Sequence, residues 1–435
     1  MEWTYLGHAS WRLRTAQLGV LFDPLLNLSY HAGTFEVTPR RDFTLKALHD
    51  DVVVVTHRHP DHFDVPSLYR LASSNPDRLL LTADALVAET ARSLGFRWVR
   101  QLPDLHVLEL SDVQMLTTPS LVDVVEWGMM VAHAEGTVFL QVDTELGPVE
   151  RVSERLGAWC SRLGATGVDV HLARFNPLLQ AKVATGGALG FPRRAYAKEL
   201  GTAIAVGAPL VVPSACGSQH RGANAWLNHR DYPVSAQRFL RDLSHLSPEQ
   251  QGWIPRVGET WRLEGHTRHE VGAADWVTIS DASDERSFEH LEVPRMVDPS
   301  PTVTAAQLRM PIKRWVEQVL QPALPRDGLR RELEVVLPGG DRWFWCLEQS
   351  GVSEHRCPDA ELRVQVAGSV LVDVIERRAP WGRALLGGWL RGLDARLPGA
   401  PACAPLFVYE ALSYAKSHEQ WVQWQVETCK AEGAG

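Results

Sequence analysis

At 435 residues, with 45% hydrophobic and 22% charged side chains, the chain is long enough for two domains with separate buried cores. Its net charge of −8, with no long basic block, weighs against nucleic-acid binding. The first residues, MEWTYLGHASWRLR, lack a signal-peptide layout, no run of about 18 apolar residues marks a membrane span, and six cysteines without a CxxC pair suit reduced thiols in a cytoplasm.

WTYLGHASWRLRT and LGVLFDPLL read as two early strands joined by a short turn. DVVVVT (51–56) is a β-branched run too short for a helix, which predicts a strand buried on both faces. DVPSLYRLASSN follows with an Asp N-cap and helical spacing, DRLLLTA is a short strand, and DALVAETARSLG is a helix closed by Gly95. LHVLEL, VQMLTTPS, WGMMVAH and GTVFLQVDT read as strands and VERVSERLGAWCSRLG as an amphipathic helix. VDVHLARF, a helix near 193–206, PLVVPSA and a helix near 234–244 complete a first domain expected over 1–265. A linker is expected over 266–301, its 283–301 stretch rich in proline and charge. The remaining 302–435 predicts a smaller α+β domain. It comprises a helix in AAQLRMPIKRWVEQVLQPAL, a hairpin turning at PGGD, a strand in AELRVQVAGSVLVDVIERR and a closing helix in WGRALLGGWLRGLDARL.

The residues with chemistry to offer follow the valine strand directly. HRHPDH (57–62) has the form H-x-H-x-D-H. His57 and His59 alternate on an extended segment, so their rings can converge on one ion. Asp61 and His62 lie a turn further and can reach a second ion about 3.5–4 Å away, the usual two-metal spacing. Neutral imidazole and carboxylate suit Zn, Fe or Mn. A polar loop that merely contains histidines is the competing reading, and three imidazoles in six residues after an apolar strand weigh against it.

This motif, with the early GHAS and FDP segments, resembles the metallo-β-lactamase superfamily. The resemblance implies an αββα sandwich with the smaller α+β domain after it. It implies Asp23 as a residue supporting the ligands and Asp143, in FLQVDTE, as a carboxylate bridging two ions. VDVHLARF, TGGALGFP, PLVVPSACGSQHRGANAWLN and the tail from CPDAELRVQV onward are similar to the non-Rieske portion of CMP-N-acetylneuraminate hydroxylase-like proteins. Those hydroxylases carry an N-terminal Rieske domain. This chain begins at the sandwich, and its cysteines have no Rieske spacing. An oxygenase of this kind would take electrons from a separate ferredoxin or Rieske donor.

Relatives often place a histidine between the first motif and the bridging Asp. Here TTPSLVDVVEWG offers Asp123, preferred, or Glu126. His220 is expected as the last ligand, with His229 in reserve; for His8, His133 and His171 a structural role is expected. The expected ligand set is therefore His57, His59, Asp61, His62, Asp123, Asp143 and His220.

Two enzymatic readings follow. One is a di-iron oxygenase or hydroxylase of a small-molecule substrate, favoured by the chain-wide likeness and by a carboxylate where a third His is usual. The other is a di-zinc hydrolase of an ester, lactone, thioester or phosphodiester, in which a metal-bound water with a pKa near 7 attacks and Asp61 orients it. A non-enzymatic binding protein with a vestigial site is the third reading, which the complete motif at 57–62 opposes.

Overall fold

The computed structural model describes residues 1–121, 125–177, 190–280, 294–300, 303–323, 328–348, 350–392 and 414–433. The valine run shows how the layers arise. All four residues of the strand Val52–Val55 are buried. Alternate side chains leave opposite faces of a strand: Val52 and Val54 enter the core between two sheets, while Val53 and Val55 enter a core beneath helices.

The first sheet has eight strands in the order Thr267–Ala273, Glu259–Glu264, Glu2–Gly7, Ser10–Arg14, Gly19–Phe22, Val52–Val55, Leu79–Thr82, Trp98–Gln101. The second has seven, running from Val107–Leu110 through Val113–Pro119, Trp127–His133, Gly136–Leu140, Val170–Arg174 and Leu210–Ser214 to Gln251–Gly252. Trp3, Trp11 and Phe22 of one sheet meet Trp127, Met129 and Leu172 of the other in a shared core. Helices Val65–Ser74 and Ala85–Leu94 cover the outer face of the first sheet, where Leu68, Leu71, Val87 and Ala91 pack on Val53 and Leu80. Asp64 caps the first of these by accepting from the Ser67 amide, and Gly95, at φ +107°, ends the second. Helix Val152–Arg162 packs Leu156 and Trp159 on the outer face of the second sheet. The order is helix, sheet, sheet, helix: the αββα sandwich.

Strand pairing runs past the expected domain end at 265. Thr267–Ala273 pairs with Glu259–Glu264, and Val277–Ile279 with Arg41–Phe43, so the first part of the expected linker belongs to sheets. The rest of that linker falls mostly outside the described residues.

A five-stranded sheet with its own core follows, built on the antiparallel pair Arg331–Val336 and Arg342–Glu348 around the expected PGGD turn. The strand expected within AELRVQVAGSVLVDVIERR is there, Leu362–Ala367, and two details around it differ from expectation. GSVLVDVI is a helix, Gly368–Ile375, after the strand Leu362–Ala367; its Val370, Leu371 and Val374 fall on one face and pack into that core, so tertiary burial overrides the β-branched preference. The expected closing helix is only Trp381–Leu386. Gly387 and Gly388 (φ +71°) end it, and the strand Leu390–Gly392 follows. The last helix, Tyr414–Gly433, returns to the first unit, where Trp421 and Val422 join the core beneath Val65–Ser74.

Candidate metal centre

Strand ends assemble the site. Val52–Val55 stops at Thr56, and the chain then turns through the 57–62 motif before the helix Val65–Ser74. Asp23, just past the strand Gly19–Phe22, fixes that turn: its Oδ1 accepts from the Thr56 amide at 2.7 Å, and its Oδ2 from the Thr56 hydroxyl and from His62 Nδ1, both at 2.8 Å. Asp143 arrives from the second sheet, three residues after the strand Gly136–Leu140, and Arg174 Nη1 donates to its carbonyl at 2.8 Å.

Among the described residues two groups of metal-capable atoms result: His57 with His59 and Asp143, and His8 with Asp61 and His62. His57 Nε2 lies 2.8 Å from His59 Nδ1 and 3.8 Å from Asp143 Oδ2. His62 Nε2 lies 3.4 Å from Asp143 Oδ2 and 3.5 Å from Asp61 Oδ2, so Asp143 stands between the groups. Two of the site-facing imidazoles are oriented from behind, His62 by Asp23 and His57 by the Thr56 hydroxyl at 3.0 Å.

The electrostatics match a site for cations. Burial opposes charge on His62, yet Asp61, Asp143 and Asp23 outweigh it and hold its pKa well above the imidazole range. His57 goes the other way, lowered by burial and by His62 and His59. Burial works to raise the carboxyls of Asp61 and Asp143, but the charge of His62 prevails and holds both well below the usual range. The buried His62 Nε2 faces two carboxylates at 3.4 and 3.5 Å and, among the described residues, has no well-formed hydrogen bond. A divalent ion fits this donor set by displacing the Nε2 proton and taking its place between the imidazole and the anionic oxygens. A cavity of about 300 Å³, lined among others by His59, Asp61, Asp143, Tyr30, Cys216 and Leu386, opens onto these groups.

Of the expected ligands, His57, His59, Asp61, His62 and Asp143 are brought together. Asp123 lies outside the described residues. Glu126 is buried, bonded to the Ser120 hydroxyl, and its carboxyl is raised to about 7 by burial and by the nearby Asp143 charge. His220 joins neither group: its Nε2 is engaged by Asp231 Oδ2 at 2.7 Å, and its ring packs on Phe35. His229 joins neither group either. His171 bonds Gln141 in the core and His133 faces Asp112, both away from the centre. The residue missed was His8. Gly7 and His8 take positive φ, +100° and +55°, in the turn between the first two strands, and this turn places the ring against Asp61. Only the GHAS segment hinted at it.

Residues 2–145 match the family model described as a beta-lactamase superfamily domain. That stretch carries every motif residue from His8 to Asp143, and the first part of this chain is a domain of the metallo-β-lactamase superfamily. Among curated proteins, the chain is similar to a Mycobacterium tuberculosis protein named a putative Rieske 2Fe-2S iron-sulfur protein, 28% identical over 188 residues that cover 40% of this chain and 34% of that one. It is also similar to a Salinibacter ruber protein named a UPF0173 metal-dependent hydrolase, 35% identical over 77 residues, 18% of this chain and 29% of that one. The matches thus span about a third of these relatives. Among solved structures, CmlA, titled a diiron beta-hydroxylase from Streptomyces venezuelae, aligns over 62% of this chain and 53% of its own at 16% identity and TM-score 0.42.

Proposed function

We propose that this chain is a dinuclear metal enzyme acting as a di-iron oxygenase or hydroxylase on a small-molecule substrate, with electrons drawn from a separate ferredoxin or Rieske-type donor. The observation that carries the metal assignment is the convergence of His57, His59, Asp61, His62 and Asp143 around a buried imidazole nitrogen that has no well-formed hydrogen bond among the described residues. We assign the first ion to His57 and His59, the second to Asp61 and His62, and Asp143 to both. The position where relatives often use a third His falls to a carboxylate, Asp123 or Glu126; Glu126 is buried with the Asp143 charge acting on it, outside both converging groups. His220 stays outside the set because it joins neither group of converging atoms. Anionic oxygen donors favour hard, oxidisable iron over zinc, and the partial likeness to proteins named for a Rieske cluster supports the electron donor. Iron bound there would supply redox chemistry with O₂. Asp61 and Asp143 orient what enters the cavity, and Tyr30, Phe35 and Leu386 exclude water from its walls. We also propose that the first unit ends near residue 280 and that the unit built on the five-stranded sheet closes the cavity through Leu386.

A di-zinc hydrolase is the second reading, favoured by the stretch similar to the Salinibacter protein. One experiment separates the two. Chain from iron-supplemented cells is expected to hold two iron ions and, once reduced, to consume O₂, while the zinc-loaded form is inert to O₂ because Zn²⁺ has no redox state to offer. Rapid hydrolysis of an ester and lactone panel by the zinc form, with no O₂ uptake by the iron form, would replace the oxygenase with the hydrolase.

A further inference from the structure

We propose that His8 is not a ligand but the residue that positions Asp61, locked for that task in the tautomer that a metal ligand at this place could not use. The Gly217 amide donates to His8 Nδ1 at 3.0 Å. A backbone N–H can only donate, so Nδ1 must present its lone pair. The Ser218 hydroxyl, which accepts from Tyr30, lies 3.2 Å from the same nitrogen. Neutral imidazole carries a single proton, and with Nδ1 accepting it sits on Nε2. That nitrogen is 3.0 Å from Asp61 Oδ2, so the N–H donates to the carboxylate and leaves no lone pair facing the centre.

The backbone is built for this contact. A Cβ at position 217 would stand 2.7 Å from the His8 backbone nitrogen and 2.9 Å from its Cα, so only glycine allows the approach. The Ala215 amide donates to the His8 carbonyl at 3.3 Å, gripping the residue from the same segment. His62, whose ring centroid is 5.6 Å from that of His8, has the opposite arrangement: Asp23 accepts from its Nδ1–H and leaves Nε2 with a lone pair for an ion. The loop around Gly217 thus reaches the centre through the hydrogen bond that holds Asp61.

The tautomer belongs to the metal-free chain, whereas its consequence for metal binding rests on the dinuclear function proposed above; the two are therefore tested separately. In full-length metal-free protein with ring-¹⁵N histidine, long-range ¹H–¹⁵N correlation is expected to show His8 protonated at Nε2 and bare at Nδ1, with His8→Asn identifying the signals by their loss. A proton on Nδ1 overturns the proposal. In Co²⁺ titrations of the same chain, His8→Ala is expected to keep the native number of ions while the weaker one binds about 10–100-fold less tightly. His8→Gln, whose amide can still donate toward Asp61, is expected to recover part of that loss, which a purely structural defect would not allow. Loss of one Co²⁺ per chain in His8→Ala relative to native makes His8 a ligand and refutes the assignment. Native protein binding fewer than two ions would overturn the dinuclear function while the NMR result still decides the tautomer.

Discussion

Asp23 offers the sharpest test of how the centre is held. It is fully buried and accepts from the Thr56 amide, the Thr56 hydroxyl and His62 Nδ1. Hydrogen bonds to a charged group contribute about 1.5–3 kcal/mol each, non-additively, and breaking a buried pair costs about 3–5 kcal/mol because the partner is stranded. Asp23→Ala should therefore destabilise the metal-free fold by about 3–5 kcal/mol in urea unfolding. Asp23→Asn is more informative because its size is unchanged. The Thr56 amide must face an oxygen, so the new NH₂ group faces His62 Nδ1. A donor there turns Nδ1 into an acceptor and moves the proton to Nε2, which removes the lone pair aimed at Asp61 and Asp143. The expected outcome is a modest stability loss, about 1–2 kcal/mol, and Co²⁺ affinity reduced about 10–100-fold. Native Co²⁺ affinity in Asp23→Asn would refute the claim that Asp23 sets the tautomer of His62.

His57→Ala with His59→Ala should abolish binding of the first ion and remove the metal-dependent rise in melting temperature, because an ion bound only by the native state adds to its stability; metal analysis finding two ions per chain would contradict this. Glu126 titrates at about 7 when folded against 4.5 when exposed, so the folded chain binds more protons between those values and its stability falls as pH rises through that window. Glu126→Gln should therefore gain about 1–2 kcal/mol in metal-free unfolding at pH 8, allowing for solvent screening, yet bind Co²⁺ more weakly; unchanged Co²⁺ affinity removes Glu126 from the ligand set. His171, buried on Phe139, is lowered to about 3 from 6.5, so below pH 6.5 the unfolded chain takes up the proton and the folded chain does not. Stability should fall by about 1.4 kcal/mol per pH unit from this residue alone, and His171→Leu should show a shallower loss between pH 6 and 5 in urea titrations; equal slopes would exclude the assignment.

The sandwich was legible because its signals are local. Four consecutive valines too short for a helix, an Asp cap at 64 and a glycine stop at 95 each determine an element within a few residues. The motif at 57–62 was legible for the same reason. What failed depends on distant packing. The stretch GSVLVDVI has strand chemistry and becomes helix because Leu308 and Val335 complete a core on one of its faces. His220 stands in a segment expected to hold a ligand, and its ring lies outside both converging groups, set by Phe35 and by Asp231 eleven residues on. His8 shows the converse: only the short GHAS segment hints at it in sequence, and the residues that aim its ring, 215 to 218, lie some two hundred positions away.

Residue identity also leaves open which nitrogen of an imidazole does the work, and in this centre that choice separates one role from another. A histidine offers the ion a lone pair only if its other nitrogen has an acceptor to donate to. Asp23 provides that acceptor for His62 and the Thr56 hydroxyl can provide it for His57, whereas Gly217 presents His8 with a donor. Three similar rings within one site are thus sorted by what stands behind them, two toward metal and one toward a carboxylate. The sorting groups are a buried aspartate, a strand-end threonine and a glycine amide, none of which would bind an ion itself. Substitutions at Asp23, Thr56 or Gly217 should therefore alter metal binding without removing any ligand, and a list of candidate ligands read from sequence contains none of the three.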